Sequence, residues 1–187
     1  MSPAQGRPKP GEPPLGGVAR SAGEPIMTDL DLLYQDVVLD HKRHPRHYGL
    51  LPGANRESRG YNPLCGDSVT LRLREADGCI DDIAFEGQGC AICIASASMM
   101  TEAVQGHTVA EASDTMQAMH RMLSGDGEAD EDTLGKLVLL GGVRRFPSRI
   151  KCAALAWHAL GECLRGESRQ DADAQAAAKE NPDEPVA

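Results

Sequence analysis

The chain has 187 residues, with 28 acidic side chains against 19 basic ones and a formal net charge of −9. That length fits one domain with a proper core, and the absence of a basic stripe argues against binding nucleic acid by phosphate neutralisation. No apolar run approaches the roughly 18 residues needed to cross a bilayer, so no membrane partner is expected.

Residues 1–26 are rich in Pro and Gly, lack a continuous apolar stretch and read as a disordered extension rather than a secretory signal. Without an export signal, a cytoplasmic, reducing location is expected. There the six cysteines are better read as metal-binding or reactive than as disulfides. Organised sequence begins at Met27, which can itself be a start. Thr28 to Asp31 matches a capping box. The helix that follows carries Leu30, Leu33, Tyr34, Val37, Val38 and His41 at helical spacing and ends near Pro45. His41, His44 and His47 can be read as metal ligands. They can also be read as a helix C-terminal charge favoured by the dipole, with two histidines in a solvated turn.

Residues 48–61 read as a polar connector and a first strand. Ser68 to Glu75 then alternates, with Val69, Leu71 and Leu73 on one face and Thr70, Arg72 and Arg74 on the other, the pattern of a half-buried strand. Asp77-Gly78 is a hairpin turn, and Cys79 to Glu86 returns as the partner strand. The sheet is therefore antiparallel. The turn Tyr61-Asn62-Pro63-Leu64-Cys65-Gly66-Asp67 opens the first of these two strands, and Gly87-Gln88-Gly89-Cys90 follows the second. The hairpin thus brings Cys65 and Cys90 to one end of the sheet. Cys90 starts a helix of small residues over Ala91 to Val104. Thr108-x-x-Glu111 is a second capping box, opening a helix with Ala112, Met116, Met119 and Leu123 on its core face. After a break at Ser124–Gly127, residues 128–140 form a short acidic segment ending in a helix. Pro147 opens the last helix. There Ile150, Ala154, Trp157, Gly161 and Leu164 make one stripe, with Cys152, Ala156, Ala159 and Cys163 on the next. Residues 167–187 read as a disordered acidic tail.

Thiolates and carboxylates are metal ligands. Cys163 lies eleven residues beyond Cys152, about 16 Å along a helix, which is too far to share one ion. Cys79 sits at the wrong end of the hairpin. Cys93 completes a Cys-x-x-Cys with Cys90 and reads as a zinc half-site, a redox dithiol or a small packed residue. The set that remains is Cys65, Asp67, Cys90 and Cys152. Cys90 and Cys152 lie at helix starts, where the dipole favours a thiolate. An Asp among thiolates is an easily displaced ligand, or it stands behind the ligands and orients them. Arg144, Arg145, Arg149 and Lys151 form a basic cluster beside the site, readable as a dock for an acidic partner or as a solvated helix entry.

The segments Asn62-Pro63-Leu64-Cys65-Gly66-Asp67, Gly87-Gln88-Gly89-Cys90-Ala91-Ile92 and Arg149-Ile150-Lys151-Cys152-Ala153 resemble the three cysteine motifs of the IscU/NifU-type iron–sulfur assembly proteins. The stretch Leu32 to His41 followed by His44-Pro45-Arg46 is similar to the N-terminal helix of that family. The resemblance spans residues 27–166 and implies an α+β fold, a small antiparallel sheet of about three strands with helices packed on one face. Phe146-Pro147-Ser148-Arg149-Ile150 stands where the scaffold branch has its chaperone-binding motif, and Lys151 stands where that branch has His. The chain between Cys90 and Cys152 is also longer. These features look like the SufU branch. Cys93 departs from the family, which commonly has Ser there.

The resemblance implies zinc held by Cys65, Asp67, Cys90 and Cys152, with Cys65 as the sulfur-accepting, catalytic thiol. It implies a SufS-type cysteine desulfurase as persulfide donor and a SufBCD-type assembly complex as recipient. In the mechanism proposed for the family, a desulfurase histidine takes over a zinc position and frees the acceptor thiolate. Two alternatives stay open. One is a scaffold that assembles and transfers a [2Fe–2S] cluster on the same residues. The other is a structural zinc module that binds partners.

Overall fold

A computed structural model describes residues 29–127 and 130–166. Thr28 of the first capping box, the extension 1–26 and the tail 167–187 lie outside the described residues.

Helix α1 spans Asp29–Arg43. Strands β1 (Arg56–Asn62), β2 (Asp67–Ala76) and β3 (Cys79–Gln88) form one antiparallel sheet in the order β1-β2-β3. The expected turn at Asp77-Gly78 is present, with φ of +50° and +77°, the left-handed pair that a two-residue hairpin requires. The alternation of β2 is realised. Val69, Leu71 and Leu73 are fully buried, whereas Arg72 on the opposite face pairs with Glu57 and Glu86 across the strands. The Tyr48 segment also bridges to Phe85 of β3, and the Tyr48 ring packs edge-on against Phe85 at 5.2 Å. That contact covers part of the β3 edge, the usual remedy for an open strand.

The helices lie on the apolar face of the sheet. Helix α2 (Ala91–Val104) and helix α5 (Pro147–Arg165) pack on the sheet and on each other. Small residues let them approach. Gly60 of β1 sits so close to α5 that a Cβ there would stand 3.0 Å from Leu155 Cδ1. Ser58 Oγ donates to the Ala159 carbonyl at 2.6 Å. Ser96 Oγ of α2 donates to the Ala153 carbonyl at 2.7 Å and accepts from Trp157 Nε1 at 3.1 Å. These bonds satisfy groups that would otherwise be buried without partners.

Helix α3 (Val109–Ser124) begins with the predicted capping box, Thr108 and Glu111 bonding reciprocally. The short α4 (Glu131–Leu134) leads into a 3₁₀ segment, Gly135–Arg145, that runs on past the helix expected to end at residue 140. Gly142 is needed there for packing, since a Cβ would stand 2.9 Å from the Tyr34 ring. No helix among the described residues is long and apolar enough to cross a membrane.

Candidate metal centre

The turn between β1 and β2 is built by its own sequence. The Asn62 side-chain oxygen accepts from the Leu64 N–H at 3.1 Å. The Asn62 carbonyl accepts from the Gly66 N–H at 2.9 Å. Gly66 adopts φ +73° with open space beside it, a conformation glycine enters without strain. The result is an exposed Cys65 followed by an almost fully buried Asp67.

The β2–β3 register then delivers the next ligand. Ser68 pairs with Gln88, so Gly89 and Cys90 arrive beside Asp67. Asp67 Oδ1 accepts from the Cys90 N–H at 3.0 Å, and Oδ2 lies 3.7 Å from Cys90 Sγ. A Cβ on residue 89 would stand 2.7 Å from Asp67 Oδ1, so only glycine permits this approach. Cys90 is the N-cap of α2, its sulfur accepting from the Cys93 N–H at 3.4 Å.

Helix α5 brings the last thiol. Cys65 Sγ and Cys152 Sγ are 3.8 Å apart. The ligand atoms of Cys65, Asp67 and Cys152 all lie within 4.8 Å of one another. Cys90 bonds to Asp67 and reaches Cys152, but stands outside that group of three. Two separations, Cys65 Sγ to Cys152 Sγ at 3.8 Å and Cys90 Sγ to Asp67 Oδ2 at 3.7 Å, lie close to the edges of a tetrahedral ion. With metal–sulfur bonds of about 2.3 Å and metal–oxygen bonds of about 2.0 Å, tetrahedral edges come to about 3.8 Å between sulfurs and about 3.5 Å between sulfur and oxygen.

The electrostatics point the same way. Burial pushes the Cys152 thiol well above its ordinary value, and the Asp67 carboxylate, Cys90 and Cys65 push it further. Burial alone would also raise the Asp67 carboxyl, yet bonds from Cys152, Cys65 and the Cys90 N–H hold it low. This corrects the expectation of a dipole-favoured thiolate at Cys152. Cys152 is the sixth residue of α5, beyond the first turn where the dipole acts, and burial beside an anion outweighs it. A cluster with one carboxylate and three converging thiols calls for a cation to ionise the sulfurs.

Residues outside the expected set also reach the site. The Arg149 guanidinium lies near the thiols: Cys152 raises its pKa most, and the charges of Cys90 and Asp67 raise it further. Sequence spacing shows the pairing only in retrospect, since positions 149 and 152 share a helix face. Lys42 Nζ donates to the Gly89 carbonyl at 3.2 Å, tying α1 to the Cys90 loop. The rest of the basic cluster is dispersed: Arg145 pairs with Asp31 at 2.5 Å, and Arg144 lies against Gly125.

Cys79 stands at the hairpin end of the sheet, and Cys163 is buried deep along α5. Cys93 is fully buried, and burial pushes its thiol up to about 12. Among the described residues none of the three joins the metal-binding group. The histidine reading needs a correction. His41 does lie in the last turn of α1, but not as a charge favoured by the dipole. It is buried, bonded to Ser98 Oγ at 2.8 Å, and its pKa is lowered by desolvation. His44 pairs with Asp40.

A family profile described as NifU-like N terminal domain matches residues 33–153. The chain belongs to that family. Among relatives of this NifU-like domain is the iron–sulfur cluster assembly scaffold protein IscU of Streptococcus pyogenes serotype M1. It is 42% identical over 139 residues, which cover 74% of this chain and 87% of the relative. The zinc-dependent sulfurtransferase SufU of Bacillus subtilis is 40% identical, covering 71% and 89%. A SufU crystal structure from Fervidobacterium islandicum AW-1 superposes with a TM-score of 0.67 at 34% identity, covering 71% of this chain and 97% of that one. The NifU-like fold expected from the motifs is therefore the observed one.

Proposed function

We propose that this NifU-like domain is a zinc-dependent sulfur acceptor that takes persulfide sulfur from a SufS-type cysteine desulfurase and relays it to a SufBCD-type iron–sulfur assembly complex. The observation that carries the reading is the asymmetry of the thiols. Cys65 is exposed on a glycine-containing turn, whereas Cys152 is buried and Cys90 is held in a helix cap. One sulfur can leave the cluster and two cannot without disrupting helices.

Cys65, Asp67, Cys90 and Cys152 would hold the zinc. When bound, zinc keeps thiols deprotonated at neutral pH. Arg149 balances negative charge at Cys152. In the transfer, the Cys65 thiolate attacks the outer sulfur of the donor persulfide. The donor S–S bond breaks, its electron pair returns to the donor cysteine as a thiolate, and Cys65 carries the new persulfide. The zinc-dependent SufU relative supports this reading. So does Lys151, where the scaffold branch carries a histidine.

The IscU relative supports a second reading, a [2Fe–2S] scaffold on the same residues. Metal content of the purified protein, measured with desulfurase stimulation, separates the two. Sulfur transfer predicts colourless zinc protein that stimulates the desulfurase. A scaffold predicts a coloured, iron-containing protein after anaerobic loading with iron and sulfide.

A further inference from the structure

Cys93 is a thiol that the site described above does not use. It is fully buried in α2, and among the described residues its sulfur makes no hydrogen bond. A buried cysteine can serve as a small packing residue. The place of this one argues for more.

Three observations direct it to the metal centre. Cys90 is the N-cap of α2 and Cys93 stands three residues on, so the two share one face of the first turn. That face looks onto the centre, since Cys90 bonds there to Asp67. The Cys93 N–H donates to Cys90 Sγ at 3.4 Å. This bond closes the Cys-x-x-Cys into one turn, the spacing at which two thiolates share an ion. The surroundings of the Cys93 thiol are also those of the centre. Burial raises its pKa most, the charges of Asp67, Cys90 and Cys65 raise it further, and Lys42 lowers it.

With Cys65, Asp67, Cys90 and Cys152 bound, a tetrahedral ion has its full set of ligands, and Cys93 stands behind them. Departure of Cys65 leaves three ligands and one open position. We infer that Cys93 is a reserve ligand, which replaces Cys65 on the metal when Cys65 leaves to accept sulfur. The inference rests on the sulfur-acceptor reading. In the exchange Cys65 gives up its metal bond and carries the persulfide, and Cys93 forms a metal bond as a thiolate. The Cys93 proton goes to the donor cysteine thiolate that the transfer releases, so the charge at the centre is unchanged. A serine at position 93 would offer a hydroxyl, which is not among the usual zinc ligands.

The test is metal binding by the full-length protein, read with cobalt(II) in place of zinc. The near-ultraviolet sulfur-to-cobalt charge-transfer absorbance rises with the number of thiolates bound. The unmodified protein is expected to show three thiolates. Cys65→Ala is expected to show three as well, with Cys93 in place of the missing sulfur, and Cys65→Ala combined with Cys93→Ser to show two. Zinc affinity, measured by competition with a chromophoric chelator, should fall by about ten-fold or more from the single to the double variant, since a ligand matters at least as much as an orienting partner. Cys65→Ser is the second background should Cys65→Ala fail to fold, with circular dichroism and Tm as the checks. Two thiolates in a folded single variant, or an absorbance that Cys93→Ser leaves unchanged there, would overturn the inference. Persulfide on Cys65 of the unmodified protein is measured in parallel by mass spectrometry. If it forms while Cys65→Ala binds cobalt through two thiolates, the reserve ligand fails and the sulfur-acceptor reading stands. If it never forms while Cys65→Ala keeps three, the sulfur-acceptor reading fails and Cys93 remains a ligand of the vacated position.

Discussion

Asp67 and Cys152 govern the chemistry at the scale of single residues. Each is buried, and each makes ionisation of the other harder or easier through one short network. Gly89 is the residue that lets this network exist, because its missing Cβ is the space that Asp67 Oδ1 occupies. Gly89→Ala is therefore expected to push the carboxylate out of line and weaken zinc binding by about ten-fold or more, in the range for loss of an orienting group. Competition with a chromophoric chelator measures it, and unchanged zinc affinity would remove Asp67 from the site. Cys163 offers a pH test away from the metal. Burial pushes its thiol up to about 11 from an ordinary value of 9.0. A raised thiol pKa favours the protonated folded form. Its stabilisation is complete below pH 9 and is lost as the pH rises through about 11. Urea unfolding should show stability falling above pH 9, by on the order of 2 kcal/mol from this group. Cys163→Ala should flatten that part of the fall.

The decisive element-scale feature is how the β1–β2 turn, the end of β3, the start of α2 and the second turn of α5 are brought together. The Asn62–Asp67 turn and the Cys90 cap meet because β2 and β3 pair in register, and α5 joins them because Ser96 ties α2 to α5. Ser96→Ala leaves the Trp157 N–H and the Ala153 carbonyl without their buried partner, which costs about 1–3 kcal/mol. Urea unfolding of metal-free protein should show that loss, and zinc binding should weaken as Cys90 and Cys152 lose their common support. Glycines at the two ends of the sheet give a contrast. Gly66→Ala and Gly78→Ala both place a side chain at positive φ, at a cost of about 1 kcal/mol each. Stability should fall for both, whereas transfer to Cys65 should slow only for Gly66→Ala. Equal kinetic effects would contradict a special role for the Cys65 turn.

For the molecule as a whole, much of the site was legible before any coordinates. Alternation along β2 and the Asp77-Gly78 turn sufficed to bring the turn that carries Cys65 and Asp67 to the same sheet end as Cys90, where Asp67 meets it, because register is dictated by burial. Helix length sufficed to remove Cys163. What was not legible depended on contacts between distant segments. Nothing local tells that His41 is buried against Ser98, or that Arg149 turns to Cys152 while Arg145 turns to Asp31. The dipole argument for Cys152 failed because it counted the helix end and omitted the buried carboxylate.

The central claim is that Cys65 is the thiol that leaves the cluster to take sulfur. Mass spectrometry of the zinc-loaded protein, after incubation with desulfurase and cysteine, tests it most directly. The account predicts the added mass of one sulfur atom on the peptide carrying Cys65, and none on the peptides carrying Cys90 and Cys152. Added sulfur on another cysteine, or full desulfurase stimulation by Cys65→Ala, would contradict it.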